Sequence, residues 1–89
     1  MDRPQVTEKE LLQARRDLEY HLQMQRDKKH DGIFASTHEG FGLIVEEFNE
    51  VSDAVRKHRD KKELVDELMD LEVVCRWLRA SILTEKMDW

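Results

Sequence analysis

At 89 residues the chain is shorter than the usual single domain, which excludes a second domain, a catalytic half on a linker and a repeat array. Its residues are 39% apolar and 39% charged, with two Trp, one Tyr, three Phe, one Pro and three Gly; this is helix-forming usage and too apolar for a disordered chain. Fifteen Lys and Arg against twenty Asp and Glu leave a net charge of −5, and the basic clusters Arg15-Arg16, Lys28-Lys29-His30 and Arg56 to Lys62 are interleaved with acids, so no nucleic acid is expected as a partner.

Cys75 is the sole cysteine, which excludes an internal disulfide and fits a reducing compartment. The N-terminus lacks the apolar run of a signal peptide, and a stretch such as Leu43-Ile44-Val45 is far short of a membrane span. A soluble, cytoplasmic protein with no membrane partner is expected. A chain of this length buries only about 60 to 65% of its unfolded surface, so burial against further copies, a homo-oligomer, is expected as well.

The first helix opens at Thr7, with Glu10 three residues on, the spacing at which an N-cap hydroxyl and an N3 carboxylate satisfy each other's backbone donors. Leu11, Arg15, Leu18 and Leu22 form a narrow stripe, and the polar stretch from Gln25 to Gly32 ends it. The second helix is capped by Ser36 with Glu39 three residues later, and Phe41, Ile44, Val45, Phe48, Val51 and Val55 follow at helical spacing. Gly40 and Gly42 in its opening turns permit either a close approach of another helix or space for a ligand. Asp60 and Glu63 cap the third helix, along which Leu64, Leu68, Leu71, Cys75, Leu78 and Ile82 alternate in steps of four and three. That seam makes Cys75 a small buried hydrophobe. The predicted helices are therefore about 7–27, 37–59 and 61–83 in one all-α domain spanning 1–89. With almost nothing between the second and third helices, the fold is an N-terminal helix plus a long antiparallel helical hairpin, assembled as an oligomeric bundle.

Charge placement departs from that of an ordinary helix surface, where opposite signs stand at i,i+4. Glu46, Glu47, Glu50 and Asp53 on the second helix, and Glu63, Asp66, Glu67 and Asp70 on the third, form like-charge neighbours instead. The dipole accounts for Glu63 and Asp66 near an N-terminus, but it does not reach Glu46 to Glu50, more than two turns inside their helix. At 1.5 Å rise per residue, Glu50 and Asp70 each lie about 15 Å from a bend at Asp60, and Glu47 and Glu67 fall within about 9 Å of axial height. Glu47 and Glu50 continue to Leu43 and Ala54, and Glu67 and Asp70 to Val74 and Trp77, so both stripes can face one groove. Two charges 5 Å apart repel by about 3 kcal/mol at an effective dielectric near 20, so four acids converging there call for a cation. An all-oxygen set selects Mg²⁺, Mn²⁺ or Ca²⁺ over zinc.

These residues also resemble a family. Glu46-Glu47-Phe48-Asn49-Glu50, followed by Glu67-Leu68-Met69-Asp70, is similar to the EExxE and ExxD signature of the MazG-like all-α nucleoside triphosphate pyrophosphohydrolases, in their phage-type branch. The resemblance spans about 38–78 and includes His38-Glu39-Gly40-Phe41. It implies Mg²⁺-dependent, or Mn²⁺-dependent, hydrolysis of a (deoxy)nucleoside triphosphate to monophosphate and pyrophosphate by a homodimer or homotetramer. Carried over by position, Glu47, Glu50, Glu67 and Asp70 become metal ligands and Glu46 the water-orienting base. Glu63-Leu64-Val65-Asp66 also reads ExxD and ranks second, and the family usually adds a further helix that this chain lacks.

Clustered divalent ions need no protein nucleophile, so the absence of a Ser-His-Asp or P-loop pattern is no objection. Lys57, seven residues beyond Glu50, is assigned to substrate phosphates or to plain solvated surface. Trp77, seven beyond Asp70, is assigned to the base or to core packing. The rival functions are a non-catalytic helical interaction module with an acidic docking face, and hydrolysis of phosphoribosyl-ATP or another phosphate anhydride.

Overall fold

Ser, Thr and Asp before each apolar run supply the starts of the helices. The computed structural model describes residues 2–89, and among them lie three helices, α1 (Glu8–Lys28), α2 (Thr37–Arg56) and α3 (Lys61–Leu83), with no strand. Ser36 accepts a hydrogen bond from the Glu39 backbone N–H at 3.2 Å, and the Asp60 carboxylate accepts one from the Lys62 N–H at 2.8 Å. Thr7 behaves differently. Its hydroxyl donates to the Glu10 carboxylate and makes no cap bond to the backbone, so the reciprocal pairing expected there is replaced by a contact between the two side chains. That bond holds the Glu10 carboxyl below its ordinary value.

The chain divides into two compact units, Met1–His30 and Asp31–Trp89. The first consists chiefly of α1, where Gln13 and Gln23 donate to Asp17 and Asp27 one turn on, at 2.8 and 2.9 Å. No residue of α1 is buried; Leu18, His21, Leu22 and Gln25 are half-buried and Leu11 is exposed.

In the second unit α2 packs against α3. Contacts run in opposite order along the two helices: Phe34 N–H donates to the Ser81 hydroxyl at 3.2 Å, a Cβ on Gly40 would meet Leu78, and the acids from Glu47, Glu67 and Asp70 meet nearer the turn. The fully buried positions hold small side chains, while Leu43, Val51, Leu71, Val74 and Leu78 are half-buried. Gly40, Ala54 and Ser81 are the buried residues, the last two each 1% exposed. At the end away from the turn, the Trp77 indole N–H donates to the Gly32 carbonyl at 2.8 Å, and Ser36 forms an isolated parallel bridge with Asp88, whose carbonyl accepts from the Thr37 N–H at 3.1 Å.

Two sequence expectations are corrected. The second helix stops at Arg56, three residues before the expected Arg59, because the chain enters a left-handed turn: His58 has φ 49°, its N–H donates to the Val55 carbonyl, and the Arg59 N–H reaches back to the Ala54 carbonyl at 3.0 Å. This is the paired bonding of a Schellman cap with histidine where glycine is usual. The third helix keeps its expected bounds but its inward face is rotated from the predicted seam. Leu64, Leu71 and Leu78 of that seam are half-buried, together with Glu67, Asp70, Val74 and Trp77, whereas its Leu68, Cys75 and Ile82 are exposed. Cys75 is an exposed free thiol. A regular four-three repeat does not decide which of two adjacent stripes meets the neighbour when the other also carries apolar residues.

Two stability experiments follow from this packing. His58→Gly removes the left-handed penalty of a side chain, about 1 to 2 kcal/mol, against a smaller entropic loss, so the urea midpoint should rise by a net of about 0.5 to 1 kcal/mol with unchanged m. Gly42 has open space at its Cβ position, so Gly42→Ala should gain up to about 1 kcal/mol from helix propensity. At Gly40 a Cβ would lie 2.7 Å from Leu78 Cδ1 and 3.0 Å from Phe34 Cδ2. Gly40→Ala should therefore fall below Gly42→Ala by about 1 to 3 kcal/mol, and equal gains at both positions would contradict the close approach.

Candidate metal centre

The acids meet because of the turn. Its early start puts the reversal between His58 and Arg59, and at a common rise per residue this brings Asp70 level with Glu47 rather than with Glu50. Glu47 from α2 and Glu67 and Asp70 from α3 each present a carboxylate oxygen, all within 4.8 Å of one another, and all three residues are half-buried. Glu50, one turn nearer the bend and exposed, stays outside this trio. Its charge nevertheless bears on both Glu47 and Glu67. Glu46 is exposed beside Glu47, and the second-ranked pair Glu63 and Asp66 is exposed near the start of α3, outside the trio.

Electrostatics at the site oppose ionisation. Burial raises the Glu47 carboxyl above its ordinary value, and the charges of Asp70, Glu67, Glu50 and Glu46 add to it in that order. Burial likewise raises Glu67, with Asp70, Glu50 and Asp66 contributing, while the Arg59 guanidinium acts in the other direction. Arg59 escaped the sequence reading because its spacing says nothing about the shape of the turn. The only available signal is its position immediately before the Asp60 cap, which forces its backbone into the reversal.

A resident divalent cation fits this donor set. Three carboxylates on two helices, close enough to share one ion and too close to ionise comfortably without it, supply hard oxygen ligands of the kind Mg²⁺, Mn²⁺ and Ca²⁺ take. The two residues expected to touch substrate stand apart from the trio in role. Lys57 is the exposed C-cap of α2, its N–H bonded to the Asp53 carbonyl at 2.9 Å. Trp77 is half-buried, and its one polar donor is committed to Gly32. Its packing role is thus the one the geometry favours.

Comparison with protein families, with curated proteins and with solved structures finds no match. The partner set read from the sequence is corrected accordingly. No relative or solved structure carries the homodimer, the homotetramer or a bound nucleotide. What stands is that, among the described residues, no helix is long and apolar enough to cross a membrane.

The raised carboxyls fix the sign of a pH effect. Between the ordinary value of 4.5 and their raised values, Glu47 and Glu67 in the metal-free protein hold protons more readily than in the unfolded chain, so their favourable contribution is complete below 4.5 and is lost as pH rises through the raised values. With chelator present, the melting temperature should therefore rise as pH falls through the raised values toward 4.5. Glu47→Gln should be more stable than the parent at pH 7.5, and the difference should shrink as pH falls toward 4.5. A difference independent of pH would place the Glu47 carboxylate in ordinary solvent.

Proposed function

We propose that α2 and α3 act as an antiparallel hairpin that holds a divalent cation, Mg²⁺ or Mn²⁺, on Glu47, Glu67 and Asp70 and hydrolyses a (deoxy)nucleoside triphosphate to monophosphate and pyrophosphate. The observation carrying this reading is the meeting of three half-buried acids from two helices within 4.8 Å, on the side chains of the EExxE-like and ExxD-like segments. The resemblance of those segments to the MazG-like enzymes supplies the reaction class.

A bound divalent cation neutralises phosphate charge and lowers the pKa of a water, so that no protein nucleophile is required. Glu47, Glu67 and Asp70 bind and orient that ion. Glu50, exposed at the rim one turn away, adds negative potential and is the residue best placed to join the ligand set when the groove fills. Glu46, outside the trio and exposed, keeps a carboxylate free to accept a proton from water, the role of a general base.

Pyrophosphate release across the common and deoxy triphosphates, with Mg²⁺ and with Mn²⁺, tests the assignment. Asp70→Asn should lower release by about a hundredfold or more, as loss of a group stabilising transition-state charge does. Glu63→Gln, at the start of α3 and outside the trio, should retain activity. Millimolar Mg²⁺ should raise the melting temperature beyond an ionic-strength-matched monovalent salt. Equal responses to the two salts together with no pyrophosphate release would instead identify an acidic docking face.

A further inference from the structure

The inner stripes of α2 and α3 leave a second set of apolar residues in solvent. On α2 these are Phe41, Val45, Phe48 and Val55, with Phe41 62% and Phe48 58% exposed; on α3 they are Leu68 and Ile82, in line with the exposed Cys75. At about 100° per residue, each exposed stripe lies roughly a third of a turn round from the inner stripe of its own helix, in the same sense seen along each chain direction. Contacts run in opposite order along the two helices, so equal senses of rotation bring both exposed stripes to one side of the layer. The other side of α2 carries Glu39, Glu46, Glu50 and Asp53, all exposed. Arg56, Lys61 and Arg79 are exposed along the outer edges of the apolar side, together with the acid Glu72. A contiguous apolar surface with a charged border marks a docking face.

We propose that this side of the α2–α3 layer seats on an anionic lipid surface, with the Phe41 and Phe48 rings at the acyl boundary and Arg56, Lys61 and Arg79 among the headgroup phosphates. Such a contact lies in the plane of the interface and needs no helix that crosses the bilayer. The border supplies the charge complementarity, since guanidinium groups offer forks of donors that phosphate oxygens accept in pairs. The interior of the patch distinguishes lipid from a protein partner. A protein interface carries about one hydrogen bond per 100 to 200 Å², and the polar groups within these stripes are the Ser52 hydroxyl and the Cys75 thiol. Acyl chains ask for no hydrogen bond. The net charge of −5 does not oppose the contact. The acids of the far side stand about a helix diameter, ~10 Å, from the lipid, beyond the Debye length of about 8 Å at physiological ionic strength. This surface lies outside the acidic groove and stands without the pyrophosphohydrolase reading.

Cosedimentation of the full chain with vesicles tests this, at physiological ionic strength and with chelator present so that no divalent ion bridges acids to lipid. Vesicles of phosphatidylcholine and phosphatidylserine should bind the chain about tenfold or more tightly than phosphatidylcholine alone, and added salt should weaken the binding. Phe48→Asp, at an exposed position, should lose about tenfold or more in affinity for the mixed vesicles. Arg79→Ala should lose about fivefold, the scale of one cation near an anionic surface. Asp53→Asn, on the far side, should change binding by less than about twofold. Thermal melts of each variant separate loss of docking from loss of fold, and if Phe48→Asp does not fold, Arg79→Ala decides. Equal binding to both kinds of vesicle, or binding to neither, overturns the proposal. So does binding to the mixed vesicles that Arg79→Ala leaves at the parent level. A chain that self-associates without lipid and is dispersed by Phe48→Asp gives the face to a second copy, and overturns it as well.

Discussion

The hydrogen bond from the Arg59 N–H to the Ala54 carbonyl decides how the second unit is registered. It closes a turn that only a left-handed residue can complete, and His58 accepts that conformation despite its Cβ. Moving the reversal by one residue would slide one helix past the other by about 3 Å, because each residue lost from one helix is gained by its neighbour. The acids would then meet different partners. A local backbone contact thus sets which carboxylates share space seven to eleven residues away along the chain.

That register puts packing and charge in conflict along one face. Glu47, Glu67 and Asp70 lie on the stripes that the helices turn toward each other, where neutral residues would pack without penalty. Their carboxyls are raised by burial first and by one another second. The helices tolerate this because the rest of the contact is anchored at both ends, by the turn on one side and by the Trp77, Ser81 and Asp88 bonds on the other. Local propensity and site chemistry disagree at the middle of the pair, which is where a binding function is expected to strain a fold.

Much of this was legible in the sequence. Cap residues and apolar spacing place all three helices, and the bounds of α3 agree with expectation. Like-charge neighbours mark the acidic segments, and of the 43-47-50-54 and 67-70-74-77 stripes expected to share a groove all but Glu50, which is exposed, are at least half-buried. What periodicity cannot supply is the shape of a four-residue turn. Taking the bend at Asp60 pairs Glu50 with Asp70; the real reversal, nearer α2, substitutes Glu47. The Leu64-to-Ile82 seam is right at Leu64, Leu71 and Leu78 and misleads at Leu68, Cys75 and Ile82, since repeat regularity reports an apolar stripe and not the direction of its neighbour. The donor of Trp77 and the placement of Arg59 depend on loop backbone, to which side-chain patterns are blind.

The smallness of the buried side chains has a thermodynamic consequence. Among the described residues Ala54 is the only buried hydrophobic one, with Gly40 and Ser81 beside it on the inner face. Heat capacity of unfolding grows with the apolar area newly exposed and shrinks with the polar area. Leu43, Val51, Leu71, Val74 and Leu78 are only half-buried, and Phe41, Phe48, Val55, Ile82 and Leu83 are exposed in the folded chain, so unfolding newly exposes less of the first than full burial of these side chains would. The free chain should therefore have a heat-capacity increment below the usual ~12 to 15 cal/mol/K per residue. Its stability then varies gently with temperature, along a shallow dome.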